Sequence, residues 1–202
     1  MSNDKNSKKK QNPVKSMVLL AVMGLLVVAL FFVISNRSKP TEDGPAPISA
    51  VQELLVNNLD TNYPATPKEV VKMYCEITRC FYAEKYTDEE LYELAKMSRK
   101  LFDDELVNNQ TEDNYIRSLK GEISNYRAMG RVISSYSLSS SADVEYYNYE
   151  NFEWAQLVAM YSIRTGKNIE PSKERYLLRK DDKGHWKIYG WRLEDLNATG
   201  EE

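Results

Sequence analysis

The hydrophobic pattern of this chain changes its period at Gly130, and that change constrains the fold more than any other feature of the sequence. Before Gly130, apolar residues recur every three to four positions, the signature of helices packed by one face. Val70, Met73, Tyr74, Ile77 and Phe81 form one such stripe, and Leu91, Leu94, Ala95, Leu101 and Phe102 form a second. A third stretch starts near Thr111 and carries Ile116, Leu119, Ile123 and Tyr126. Two helix starts are written in the same chemistry. Thr66-Pro67-Lys68-Glu69 and Thr87-Asp88-Glu89-Glu90 each place Thr at the cap and Glu three residues on, a capping box that satisfies backbone N–H groups the first turn leaves unpaired. A shorter amphipathic helix precedes them, with Val51, Leu54, Leu55 and Leu59, and breaks at "NYPAT".

After Gly130 the segments "RVISSYSLSS", "DVEYYNYE", "FEWAQLVAMYSIRT" and "ERYLLRK" are rich in β-branched and aromatic residues and read as strands. In the third, Trp154, Gln156, Val158 and Met160 alternate with Ala155, Leu157, Ala159, Tyr161 and Ile163, so both faces are apolar and the strand is central. Asp181-Asp182-Lys183-Gly184 makes a hairpin turn into a closing strand with Trp186, Ile188, Tyr189 and Trp191. Gly190, inside that strand, marks a bulge or a close backbone approach. Helices first and an antiparallel meander after them make an α+β domain with helices on one face of the sheet. Alternation alone leaves open which face of the closing strand meets the helices.

Ahead of this domain, residues 17–35 read "MVLLAVMGLLVVALFFVIS", without a charge or a proline. As a helix the run is about 28 Å long, close to the thickness of a bilayer core. Residues 1–16 carry Lys5, Lys8, Lys9, Lys10 and Lys15 against Asp4, a net charge of +4. The positive-inside rule places this basic tail in the cytoplasm and the remainder outside. The expected organisation is a cytoplasmic tail (1–16), an uncleaved transmembrane signal anchor (17–35), a Pro-rich linker (36–48) and an extracytoplasmic domain (49–202). The whole chain has a formal net charge of −3, so residues 36–202 carry −7. An acidic ectodomain argues against nucleic acid as a partner, since phosphates require a basic footprint.

Cys75 and Cys80, five residues apart on an expected helix, point about 140° from each other, so an internal disulfide is geometrically implausible and small buried hydrophobes are expected. Their spacing, without neighbouring His, is a poor zinc pattern. No metal site and no cofactor is expected, and no phosphate loop, serine-hydrolase elbow, zinc-protease helix or thiol-redox pair is present.

The helix opening "TPKEVVKMYCEI" and the closing "YLLRKDDKGHWKIYGW" resemble the nuclear-transport-factor-two-like superfamily, also called SnoaL-like, over about residues 64–195. Members open with a Thr-Pro-x-Glu helix and close with a strand of the form Arg-x-x-Gly-x-Trp-Lys-Ile; Arg179 through Ile188 is the counterpart here, with four residues instead of two between Arg179 and Gly184. Within it, "NYPATPKEVVKMY" and "KLFDDELVNN" resemble a bacterial membrane-anchored family of unknown function. The resemblance implies a cone of about three helices packed on a curved sheet of about four strands, with a mouth that holds substrates in some enzymes and only fills a core in others.

Enzymes of that superfamily place Asp, His or Tyr inside the cone. His185, the single histidine, lies directly past a hairpin turn and is expected to be solvated. Asp103 and Asp104 read as a solvated helix end, and Glu153 and Gln156 as rim groups on a strand. Tyr146, Tyr161 and Tyr176 are the candidates for an amphipathic pocket with hydroxyls at its mouth. Trp154, Trp186 and Trp191 are the candidates for an interaction surface, through which a protein partner or a second copy would dock on the sheet. The function expected is a non-enzymatic binding or interaction module at the cell envelope. The alternative is a small-molecule binder or an isomerase- or dehydratase-type enzyme.

Overall fold

A computed structural model of the protein describes residues 48–196. In chain order they form α1 (Ala50–Leu55), α2 (Pro67–Ala83), α3 (Asp88–Lys100), α4 (Asp104–Asn108), α5 (Glu112–Ala128), β1 (Arg131–Leu138), β2 (Glu145–Tyr149), β3 (Phe152–Thr165), β4 (Asn168–Lys180) and β5 (Trp186–Glu194). The helices-then-strands order follows the change of period at Gly130, which takes a φ of +64° directly after α5. Both capping boxes are formed: Thr66 and Thr87 accept from the backbones of Glu69 and Glu90, whose carboxylates reach back to the cap residues. Ser49 and Gln52 form a third, at α1.

The cone of about three helices and four strands that the resemblance implies is corrected to five helices and five strands among the described residues; the sequence segments themselves indicate all five strands and every helix but α4. Helix α4 has five residues, too few to show a period, and its start is set by Asp103 accepting from the backbone of Glu105. Strand β2 forms within the segment read as a strand and is exposed along its whole length. The expected spanning helix, residues 17–35, lies outside the described residues. Among the described residues no helix is long and apolar enough to cross a membrane.

The sheet is antiparallel, with order β1-β3-β4-β5, and β2 also pairs with β3. Strand β3 is long enough to serve two partners on one edge: residues from Ala159 onward pair with β1, and those from Phe152 to Gln156 with β2. It is therefore central. Pro171 lies within β4, beyond the last pair with β5 at Lys173, where the missing N–H interrupts no ladder on that side. Past α3 the chain runs along the free edge of β5: Ile188 donates to the Leu101 carbonyl and Asp103 donates to the Ile188 carbonyl, both at 2.8 Å. That contact covers an edge that would otherwise be open to other strands.

One sheet face, with Ala155, Leu157, Ala159, Tyr161, Tyr176, Leu178 and Ile188, packs against α2 and α3 through Val70, Val71, Ile77, Leu94 and Leu101. Truncating a fully buried member such as Ile77 or Leu94 to Ala would cost about 2–5 kcal/mol. Cys75 and Cys80 are free thiols, both fully buried in this core. The face used by β5 is now decided, and the answer is not simple alternation. Leu178 pairs with Ile188 and Leu177 with Gly190, which leaves Tyr189 unpaired as a bulge. The extra residue shifts the alternation, so Trp186, Ile188 and Trp191 all face the helices while Tyr189 faces away.

Candidate functional site

Helix α2, helix α5 and the inner face of the sheet enclose a cavity of about 480 Å³. The α2 wall is Tyr74, Thr78, Phe81 and Tyr82, spaced by four, three and one residues so that one helix face presents them together. Tyr115, Leu119 and Glu122 line it from α5, and Ile133, Tyr161, Glu174, Tyr176 and Trp191 from the strands. Trp191 stacks on Tyr176 with ring centroids 6.0 Å apart and lies 5.4 Å from Tyr74.

A line of polar atoms crosses the cavity wall. The Tyr161 and Tyr176 hydroxyls are 2.9 Å apart. Tyr176 donates to Glu174 Oε2 at 2.6 Å, and the Tyr161 hydroxyl is 3.0 Å from Cys75 Sγ. With the Tyr176 proton directed to the carboxylate, Tyr161 has one proton and two acceptors within reach. Burial holds both phenols protonated, far above the ordinary range, and pushes the Cys75 thiol up to about 12. The thiol is therefore not a nucleophile here. Burial also raises the pKa of Glu174, opposed by the hydrogen bond from Tyr176, which favours the charged form. Glu174 forms no ion pair among the described residues, and Tyr176 is its side-chain hydrogen-bond partner. Thr78 Oγ1 is buried; the Tyr74 hydroxyl lies near it, but the pair does not reach hydrogen-bond geometry. A buried hydroxyl without a partner is uncommon and marks a place where something polar is accommodated.

The structure brings Tyr161 and Tyr176 together but places Tyr146 elsewhere, exposed, with its ring 5.8 Å from Trp186. The three tryptophans do not share one surface. Trp191 lines the cavity, and Trp186 is buried on the helix side near the other end of β5. Trp154 is on the opposite sheet face, 5.1 Å from the Tyr189 ring. Between those two rings and Phe152 lies the Arg179 guanidinium, 5.6, 5.0 and 4.7 Å from the respective centroids. Arg179 also grips Asp103 with two nitrogens, at 2.6 and 3.0 Å, and reaches Glu105 at 2.7 Å. Asp103 is thus buried, which corrects its assignment to a solvated helix end, whereas Asp104 is exposed. His185 stacks on Tyr63 at 4.4 Å with Nδ1 3.6 Å from Asp181, outside the cavity. Glu153 pairs with Lys180 and Gln156 with Glu145, both on the rim.

Glu174 and Thr78 were not singled out from the sequence. Glu174 had a usable signal, since it lies two residues from Tyr176 on a strand and so shares its face. Thr78 had none, because a threonine on a helix stripe reads as neutral. Among the described residues no group of three His, Cys, Asp or Glu side chains converges to hold a metal ion.

Comparison with curated proteins finds no match. Over residues 4–191 the sequence matches a family described as a domain of unknown function (DUF6715), and with nearly the whole chain covered, the protein belongs to that family.

Proposed function

We propose that this protein is a membrane-tethered binding domain, presented outside the cell, whose ligand is a small molecule held in the cavity between α2, α5 and the sheet. The observation that carries this is Glu174: a half-buried carboxylate without a basic partner among the described residues, in the wall of a cavity of about 480 Å³. Fixed, costly polar groups in an aromatic-lined concavity of this size are the mark of ligand sites. The apolar run at 17–35 and the basic tail before it support the tether and its orientation. The resemblance of the first helix and the closing strand to the nuclear-transport-factor-two-like superfamily supports this location for a ligand.

A second possibility, a proton-transfer enzyme of the isomerase or dehydratase type, is favoured by the same carboxylate lying beside two phenols. It ranks behind because Tyr176 already donates to Glu174, which leaves the carboxylate partly occupied.

Native mass spectrometry of the full-length protein, gently extracted from its own membranes, tests the binding function. A small molecule of fixed mass is expected, and Ser118→Trp, which places a large ring at the α5 wall of the cavity, is expected to abolish it. Retention of that mass by a folded Ser118→Trp protein, or a protein partner or homo-oligomer without any small ligand, would overturn the cavity assignment.

A further inference from the structure

We propose that the cavity takes a small organic cation, such as a substituted ammonium. This rests on the binding function proposed above and names the chemistry of its ligand. Three features of the wall point the same way. First, among the described residues its charged groups are Glu174 and Glu122, and no Lys, Arg or His lines it. Arg99 and Arg131 stack on Tyr115 and Tyr126 but neither lines the cavity. Glu174 is the more consequential of the two carboxylates, because burial disfavours its charge and no cation among the described residues compensates it. Glu122 accepts from the Tyr82 hydroxyl at 3.2 Å.

Second, the surface beside Glu174 is aromatic. Tyr74, Tyr176 and Trp191 form a cluster with centroids 5.4–6.0 Å apart, and Glu174 lies close enough to Tyr74 to act on its ionisation. Aromatic faces next to a carboxylate attract a cation through both the ring quadrupole and the charge. They give an anion nothing, and it would meet two carboxylates. Third, the unpartnered Thr78 hydroxyl supplies a donor and an acceptor for a polar substituent on the ligand. A neutral apolar ligand would leave both Glu174 and Thr78 uncompensated.

Isothermal titration calorimetry of the full-length protein in non-ionic detergent tests this with three probes of one shape. They are choline, the neutral alcohol in which carbon replaces its nitrogen, and the corresponding carboxylate, dimethylbutyrate. Choline is expected to bind about tenfold more tightly than the alcohol, and the carboxylate not to bind. Glu174→Gln keeps the shape of the side chain and is expected to weaken choline about tenfold, removing its preference over the alcohol. Equal binding of choline and the alcohol, preference for the carboxylate, no choline binding at millimolar concentration, or an unaltered choline affinity in Glu174→Gln would each overturn the inference. Binding of the alcohol or the carboxylate that Ser118→Trp removes would leave the binding domain standing while the cation is lost as its ligand. Retention of the native ligand by Ser118→Trp sinks the domain's proposed function itself.

Discussion

Arg179 makes most of its contacts at once: two bonds to Asp103, one to Glu105, and three aromatic rings around the guanidinium. Asp103 is buried and Arg179 partly so, with side chains 5% and 15% exposed. Only a planar fork can bond a carboxylate twice and stack on rings together. Arg179→Lys keeps the charge but loses the second bond and the stacking. It is therefore expected to destabilise the domain by about 2 kcal/mol, less than the 3–5 kcal/mol of leaving Asp103 with no partner. Urea unfolding would measure it, and an unchanged midpoint would show that the pair contributes little. None of this was legible at Asp103 itself. An Asp after a helix is ordinarily solvated; here β5 passes beside it, and Arg179, from the next strand, reaches across to it.

At the scale of elements, the starts of α2 and α3 and the hairpin turn into β5 were legible because their causes are local. Thr66 and Thr87 cap as their sequences dictate, and Gly184 takes a φ of +82° in the turn before β5. The turn between β2 and β3 breaks the usual rule. Glu150 and Asn151 have φ values of +49° and +65°, the pattern of a type I′ turn, and glutamate is poorly suited to the first of these positions. Asn adopts this conformation far more readily. Glu150→Asn is expected to raise stability by about 0.5–1 kcal/mol, visible as a higher thermal midpoint. A lower midpoint would mean that Glu150 makes a compensating interaction. The bulge at Tyr189 is the element-scale feature with most consequence. Gly190 flagged it in the sequence, but the direction in which it sends Trp191 depends on which residue is left unpaired, and that is settled by the register against β4.

For the molecule as a whole, residues 48–196 hold a continuous core of their own, from Val51 in α1 to Ile188 in β5. A chain beginning at Ile48 is therefore expected to unfold cooperatively, within about 1 kcal/mol of the same domain in the full-length protein. The same shortened chain is expected to fractionate as a soluble protein while the full-length one stays with membranes after alkaline carbonate washing. Release of the full-length protein by carbonate would refute the proposed tether.

By itself the sequence determined the order of helices and strands, the caps of α2 and α3, the turn into β5 and the centrality of β3. Each follows from interactions between residues near one another in the chain, or from the period of one segment. Tertiary structure alone decided that Asp103 is buried, that Trp191 faces the helices, that the three tryptophans lie on different surfaces, and that Glu174 meets Tyr161 through Tyr176. Those outcomes depend on pairing between segments far apart in sequence, where a shift of one residue in register turns a side chain from one face of the sheet to the other.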